Sequence, residues 1–321
     1  MMMTMTRARK PSLGWPMGTL LVASLAIGIL PYLGFPGAGL IPKLQAFQPY
    51  LLLFPAVVLV IGLLRKQWLI SGFVLVFLLC GTLPNVQWSS PAGQTGNGSS
   101  ELVLLSFNAL KAGANPAQLA ELIRDTDPQI LVLVETSEPM HQQLAGLDAL
   151  DGFGYRSQEA PAGGERDTVI FSKYPLQERS TDLDSADTGW YSLPVADVQA
   201  PGGIVRVAGI HVYPPVGVAQ RWSQGLEAVI DWSNQQRDHP VILAGDFNSV
   251  RSHPGFRALG DGYAQADGIW PRATWPASRS FPLLIGIDHI VAKGLSITGS
   301  SSHIIDGSDH LAVSATVEFR R

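Results

Sequence analysis

The chain has 321 residues, 22 Lys+Arg against 26 Asp+Glu for a net charge of −4, and one cysteine. A single cysteine excludes an internal disulfide framework, so a folded domain here must stand on its hydrophobic core. The modest net charge hides two unlike parts: residues 1–100 hold no Asp or Glu and only Arg7, Arg9, Lys10, Lys43, Arg65 and Lys66, whereas residues 101–321 hold 16 Lys+Arg and 26 Asp+Glu, a balance of −10.

Three apolar stretches occupy the N-terminal part, at 15–35, 47–64 and 68–88. Each approaches the roughly 20 residues that cross about 30 Å of hydrocarbon, the third only by running on to Trp88. None shows the polar face a core helix carries, and a cleaved leader would leave two stretches unexplained. The reading is a membrane anchor over 1–88 with three transmembrane helices, in which Pro31 and Pro55 are tolerated. Arg7, Arg9 and Lys10 precede the first span and Arg65 with Lys66 separates the second from the third, while the first loop offers only Lys43. The positive-inside rule then puts the N-terminus in the cytoplasm and everything after the third span on the extracytoplasmic side of the inner (plasma) membrane. Residues 89–100, SSPAGQTGNGSS, have the composition of a flexible linker, and 101–321 suffice for one globular domain.

Within that domain 102–107 reads as a buried strand ending at Asn108, and Asn115-Pro116 opens a helix through Leu119, Leu122 and Ile123, with Asn115 as its cap. The run 130–134 is the next strand. Further strands are expected at 168–172, 204–210, 241–244 and 287–292, a hairpin turn at Ala200-Pro201-Gly202-Gly203, and a helix over 218–232. The last run, 311–319, alternates apolar with small or polar residues, as a half-buried strand should. Many buried strands with a few helices between them indicate an α/β sandwich of sheets.

Polar residues with chemistry to offer sit where these strands end. Asn108 follows the first, Glu135 the second, and Asp246 with Asn248 follows 241–244 across Gly245. Asp246 and Asn248 are two apart, so an extended backbone would point both to one side while Phe247 anchors the other. Carboxylates and carboxamides without a His or Cys cluster suit a hard cation, Mg2+ or Mn2+, better than zinc.

The runs SFNAL (106–110), LVLVETSE (131–138), GIHVYPP (209–215), AGDFNSV (244–250), GIDHIV (286–291) and GSDH (307–310) resemble, in order, the motif series of the endonuclease/exonuclease/phosphatase superfamily. Joint presence of GDFN and a terminal SDH is specific; either alone is weak. The resemblance covers 102–319 and implies an α/β, DNase I-like four-layer sandwich of two mixed β-sheets flanked by helices. It places Asn108 and Glu135 at the first two metal-site positions, with Glu135 the direct carboxylate ligand, and Asp309 at a second metal-side carboxylate. Asp246 and Asn248 match the pair that orients the attacking water and contacts the scissile phosphate beside the metal. His310 matches the imidazole paired with the phosphate, Asp288 the carboxylate that holds it, and His211 the second active-site histidine. The chemistry agrees, because a carboxylate bonded to one ring nitrogen fixes the tautomer and raises the basicity of the other.

Two departures matter: His211 is followed by Val212-Tyr213-Pro214-Pro215, and Asp288 by His289. Arg166, in the RDTVIFSKYP run, reads as a surface residue, and His141, His239, His253 and His303 as surface or core residues. Trp270, Trp275 and Phe281 fall in a Pro-rich loop over 268–282 and read as packing. The expected activity is metal-dependent hydrolysis of a phosphoester. A duplex nuclease normally offers a basic stripe, whereas this domain carries about ten net negative charges, which together with a membrane tether favours a lipid headgroup or small phosphodiester over DNA or RNA. A catalytically silent phospho-ligand module would be expected to have lost one of Glu135, Asp246, Asn248, Asp309 or His310, and all are present.

Overall fold

A computed structural model describes residues 14–34, 39–87, 101–158, 168–179, 182–260, 262–278 and 282–319. Arg7, Arg9, Lys10, Trp88, the 89–100 linker, Arg166 and Phe281 lie outside the described residues.

The N-terminal part is helical: α1 (Gly14–Ile29), α2 (Leu40–Ala46), α3 (Gln48–Leu51), α4 (Leu53–Leu64) and α5 (Trp68–Thr82). The expected three membrane-length helices are not shown among the described residues. Among the described residues one helix, Trp68–Asn85, is long and apolar enough to cross a membrane, and a second qualifies only if Leu40–Ala46 and Gln48–Leu64, bent by 73°, count as one span. The first stretch gives the shorter apolar helix Met17–Tyr32. Both differences are of length, and the 73° bend precedes Gln48–Leu64 rather than interrupting it. Pro31 sits in a 3-10 turn, Leu30–Tyr32, at the end of α1, and Pro49 stands in the first turn of α3 just past the bend at Phe47. A ring without an N–H restarts a helix more readily than it continues one.

The domain that follows contains β1 (Glu101–Asn108), α6 (Pro116–Thr126), β2 (Ile130–Val134), α7 (Glu138–Gly146), β3 (Tyr155–Arg156), β4 (Val169–Ser172), β5 (Leu176–Glu178), α8 (Ser185–Thr188), β6 (Val195–Ala200) and β7 (Gly203–His211). It continues through α9 (Ala219–Gln235), β8 (Val241–Asp246), α10 (Pro254–Arg257), β9 (Tyr263–Gln265), β10 (Asp288–Lys293), β11 (Leu295–Ile304) and β12 (Leu311–Phe319). The strands form two six-stranded sheets, ordered β11-β12-β1-β2-β4-β3 and β5-β6-β7-β8-β10-β9. Residues such as Leu104, Val132, Val207, Ile242 and Ile290 fill the space between the sheets. The outer face of the first sheet packs on α6 and α7 through Leu119, Leu133 and Leu144, and that of the second on α9 through Trp222, Val229 and Leu243. Helix, sheet, sheet, helix: these are the four layers expected of an α/β sandwich.

Several local expectations hold for visible reasons. Asn115 Oδ1 accepts from the backbone N–H groups of Ala117 and Gln118, capping α6. Ala200 pairs with Gly203 across the hairpin turn. The final strand is more buried than its alternation suggests, because β12 lies between β11 and β1 and its small residues Ala312, Ser314 and Ala315 face packed neighbours.

Each sheet is mixed in the same way, with one parallel pair at its centre: β1 with β2, and β7 with β8. A parallel pair needs a crossover, supplied here by α6 and α9, and it brings two strand C-termini to the same edge. Those four C-terminal ends carry Asn108, Glu135, His211 and Asp246. The antiparallel neighbour β10 enters the same edge, where Asp288 pairs with Asp246.

The helices and the domain touch through a polar seam. Arg251 donates to Asn85 O at 3.3 Å, Ser252 Oγ to Gln45 O at 2.6 Å, and His253 Nε2 to Pro42 O at 2.9 Å. Arg257 donates to Pro31 O and its guanidinium lies over the Tyr32 ring at 5.8 Å. Behind the seam the buried amides pair internally: Gln45 Nε2 donates to Leu30 O and Leu33 O, and Asn85 Nδ2 donates to Gln48 Oε1.

Candidate active site

Asn108, the last residue of β1, joins the two sheets. Its Oδ1 accepts from Leu110 N–H at 3.0 Å, which orients the amide, and its Nδ2 donates at 3.2 Å both to Glu135 Oε1 and to Asp246 Oδ2. Glu135 turns sharply out of β2 at φ 52. Its Oε2 accepts from Lys111 N–H at 3.0 Å and its carbonyl from Ala112 N–H at 2.7 Å. Leu110, Lys111 and Ala112 are all left-handed, with φ of 47, 55 and 57. Left-handed backbone costs an L-residue about 1–2 kcal/mol. The hydrogen bonds that its N–H groups donate to Asn108 and Glu135 hold that loop in place.

In the second sheet His211, Asp246 and Asp288 are register partners across three neighbouring strands, so their side chains leave the same face. His211 Nε2 lies 3.5 Å from Glu135 Oε1, and the Trp190 ring meets the imidazole edge-on at a centroid distance of 4.9 Å. Burial, reinforced by nearby His310, pushes His211 down to about 3, so it is a neutral imidazole. Burial likewise pushes Asp246 up to about 7, against the pull of His310. Glu135 is raised by burial too, partly offset by the Asn108 amide.

His310 begins where β12 turns into the cleft. Its Nδ1 lies 3.0 Å from both oxygens of Asp288, and its Nε2 lies 3.8 Å from Asp246 Oδ2 and 3.6 Å from Asp309 Oδ1. Burial opposes a charge here, but the carboxylates of Asp288 and Asp246 outweigh it and lift the imidazole to about 10. Ser308 fixes the turn, its Oγ donating to Asn108 O at 2.7 Å and accepting from His310 N–H at 3.0 Å.

Asn108, Glu135, His211, Asp246, Asn248, Asp288, Asp309 and His310 thus share one cleft at the edge of both sheets. One detail departs from the extended-backbone expectation. β8 ends at Asp246, and Asn248 is left-handed at φ 45. The two side chains still converge, because Asn248 Nδ2 donates to Asp246 Oδ2 at 3.2 Å and to Val212 O at 2.9 Å while Asp246 Oδ1 accepts Asn248 N–H at 2.8 Å. Phe247 is the anchor between them, fully buried against Phe256.

Two residues of the cleft are absent from the motif reading. Thr274 Oγ1 donates to Asp288 Oδ2 at 2.6 Å, and Trp275 Nε1 donates to Asp309 Oδ2 at 2.9 Å. Trp275, read as packing, instead orients a carboxylate. No periodicity or motif marks either residue; their place in the loop just before the Asp288 strand is the one available cue. His141, bonded to Thr136 Oγ1, and His253, on the helix seam, are buried elsewhere.

The donor set fits a divalent cation. Among the described residues Asp246, Asp288 and His310 bring ligand atoms within 4.8 Å of one another. Asp288 is a poor donor to an ion, since both its oxygens are engaged by His310 and Thr274. Asp309 Oδ1 is the better donor, being buried and without a hydrogen-bond partner.

Residues 105–310 match the sequence model of the Endonuclease/Exonuclease/phosphatase family. The chain belongs to this family. Members of the endonuclease/exonuclease/phosphatase family are generally hydrolytic phosphoesterases, and they typically use divalent metals. A UPF0294 protein of Vibrio cholerae serotype O1 is 29% identical over 238 residues, covering 71% of this chain and 81% of the relative. Among solved structures, a humanized TDP2 of D. rerio carrying 14 mutations superposes with a TM-score of 0.54 at 17% identity, over 68% of this chain and 99% of that one. A truncated Caenorhabditis elegans TDP2 gives 0.53 at 18% identity, over 68% and 98%. At such identity these two structures speak for the DNase I-like fold.

Proposed function

We propose that this protein is a membrane-anchored, divalent-metal-dependent phosphoesterase that hydrolyses a phosphodiester, a lipid headgroup or small phosphodiester being favoured. The observation that carries the reading is the Asn108 amide bonded at once to Glu135 and Asp246, with the His310–Asp288 pair in the same cleft. Glu135 and Asp309, with Asn108 beside them and Asp246 and Asn248 at the phosphate side, are the residues that would hold the ion. A bound Mg2+ or Mn2+ would supply positive charge for the phosphoryl oxygens.

The remaining steps belong to the side chains. Asp246, lifted to about 7 by burial, is poised to orient a water and to take its proton near neutral pH, while His310, lifted to about 10, faces the phosphate as a charged donor. Asp288 keeps the His310 ring in register and Thr274 keeps Asp288 in place. His211, a neutral imidazole, offers a hydrogen bond to a phosphoryl oxygen, and Asn248 offers its backbone-anchored amide.

Membrane anchoring is supported by surfaces that water would penalise. Leu53, Val57, Leu64, Trp68 and Leu69 point outward from α4 and α5 with more than half of each exposed, and the Trp68–Asn85 helix is only 22% buried. Arg65 and Lys66 join α4 to α5 at the end opposite Asn85 and Gln87, which meet the catalytic domain. This polarity supports a cytoplasmic Arg65–Lys66 loop and an extracytoplasmic active site at the plasma membrane.

An extracytoplasmic nuclease is the second reading. A D. rerio TDP2 structure of the same fold, with a TM-score of 0.53, holds a single-strand DNA product. The excess of acidic residues over 101–321 weighs against it. The deciding experiment assays the full chain in detergent or nanodiscs with Mg2+ or Mn2+ against generic phosphodiesters and phosphomonoesters, then against phospholipid and nucleic-acid panels. Metal-dependent turnover abolished by Asp246→Ala and by His310→Ala is expected. No turnover with either ion, or turnover that survives both substitutions, would refute the proposal.

A further inference from the structure

The loop between β9 and β10 is fastened at both ends to parts of the molecule with different business. On one side Gln87 N–H donates to Ile269 O at 2.9 Å, Arg251 donates to Gly268 O at 2.7 Å and to Ile269 O at 2.9 Å, and Tyr50 Oη donates to Leu284 O at 2.7 Å. On the other, Thr274 and Trp275 bond Asp288 and Asp309 in the cleft, and Ala277 N–H donates to Asp309 O at 2.6 Å. Between these attachments the loop presents apolar side chains outward: Ile269 is 65% exposed, Trp270 45% and Leu283 37%.

Those side chains do not stand alone. Tyr50 in α3 and Leu53 at the start of α4 border the same cavity of about 230 Å³ as Trp270, Pro271, Leu284 and Ile285. From Leu53 the exposed apolar surface continues down α4 through Val57, Val60 and Leu64. The loop is therefore an extension of the helix surface, and it lies at the level where the helix begins. An aromatic pair such as Tyr50 and Trp270 at that level is the composition of a membrane–water boundary, where amphipathic rings are enriched. A second protein as occupant would leave the α4 surface below it uncovered, whereas lipid covers both without a break.

We propose that the described parts of the β9–β10 loop, 269–278 and 282–284, seat on the outer leaflet, with Ile269, Trp270 and Leu283 entering the headgroup–acyl boundary beside Tyr50 and Leu53. Trp270 and Thr274 are four residues apart, at most about 14 Å of extended chain. The cleft braced by Thr274 and Trp275 is thereby held beside the lipid surface, and a phosphoester borne on a lipid headgroup is the substrate class that this placement serves. The inference rests on the membrane-anchored reading above.

Three single-cysteine forms of the full chain, Ile269→Cys, Val57→Cys and Leu147→Cys, each with Cys80→Ser, are labelled with an environment-sensitive NBD fluorophore. They are then reconstituted in phosphatidylcholine–phosphatidylglycerol nanodiscs with or without doxyl-labelled lipid. Blue-shifted emission quenched by doxyl lipid is expected at Val57 and Ile269, and water-like, unquenched emission at Leu147. A quenched Val57 label with a water-like Ile269 label would overturn the seating of the loop while leaving the anchor intact. A water-like Val57 label would overturn the anchor and the seating together, and quenching at Leu147 equal to that at Ile269 would overturn the localisation of the contact.

Discussion

Trp275 holds Asp309 by one oxygen: the indole N–H donates to Oδ2 at 2.9 Å and leaves Oδ1, 3.6 Å from His310 Nε2, buried without a hydrogen-bond partner. A carboxylate fixed at one oxygen presents the other in a defined direction, which is how outer hydrogen bonds tune a metal ligand. Trp275→Phe keeps the ring's bulk and removes the donor. Mn2+ affinity measured by titration calorimetry should fall about 10- to 100-fold, with the melting temperature nearly unchanged; an unaltered affinity would show that Asp309 needs no such support.

His310 and Asp288 form the second defined relationship, at 3.0 Å to each carboxylate oxygen. Asp288→Asn preserves size but removes the charge that holds the ring's orientation and basicity. The expected loss of kcat is about 10²- to 10⁴-fold, the usual scale of positioned acid–base catalysis. Far-ultraviolet circular dichroism should match the parent, and a kcat within a few-fold of it would remove Asp288 from the mechanism.

Gly245 lets β8 pass close to its parallel neighbour. Its φ is +145, and an added Cβ would lie 2.0 Å from the Ile210 carbonyl oxygen. Neither side can yield, because both are backbone in the middle of a sheet, so Gly245→Ala should cost about 3 kcal/mol or more. A thermal or denaturant melt indistinguishable from the parent would contradict that geometry.

His253 gives the fold a pH dependence separate from catalysis. Its Nδ1 accepts from Val250 N–H at 3.1 Å while its Nε2 donates to Pro42 O at 2.9 Å, a pattern only the neutral ring satisfies. Burial, with Arg257 and His289 nearby, pushes its pKa from 6.5 down to about 4 although the Pro42 bond resists. The folded value lies below the unfolded one, so this stabilisation is complete above about pH 6.5 and is lost as pH falls toward 4, by roughly 3 kcal/mol in all. Melting temperatures across that window should fall with acid in the parent and fall less in His253→Ala, which starts from a lower stability at pH 7; parallel slopes would exclude His253 as the source.

Much of the domain can be read along the chain because its signals are local. Runs such as 130–134 are uniformly apolar, Asn115-Pro116 caps a helix with its own side chain, and Pro201-Gly202 closes a hairpin between neighbouring residues. Asn108, Glu135, Asp246 and His310 stand out because each interrupts an apolar run with a polar group that must find a partner once buried. Thr274 and Trp275 leave no such mark, since a Thr-Trp pair in a Pro-rich loop looks the same whether it packs or bonds a carboxylate 14 or 34 residues away. The N-terminal stretches fail in the opposite direction. Hydropathy counts 15–35 and 47–64 as spans, but the helices described there, Met17–Tyr32 and Gln48–Leu64, stop short of membrane length, Pro31 standing in the 3-10 turn that closes the first.

Apolar periodicity, caps and turns are properties of neighbouring residues, and by themselves they determined where the long buried strands such as 130–134 and 241–244 form, where polar groups end them, and that an acid-free apolar segment precedes an acidic domain. The tertiary structure decided the rest. Two parallel pairs, each closed by a crossover helix, bring Asn108 and Glu135 of one sheet against His211 and Asp246 of the other, and only that approach of distant chain ends sets the distances, burial and shared charge on which the chemistry depends.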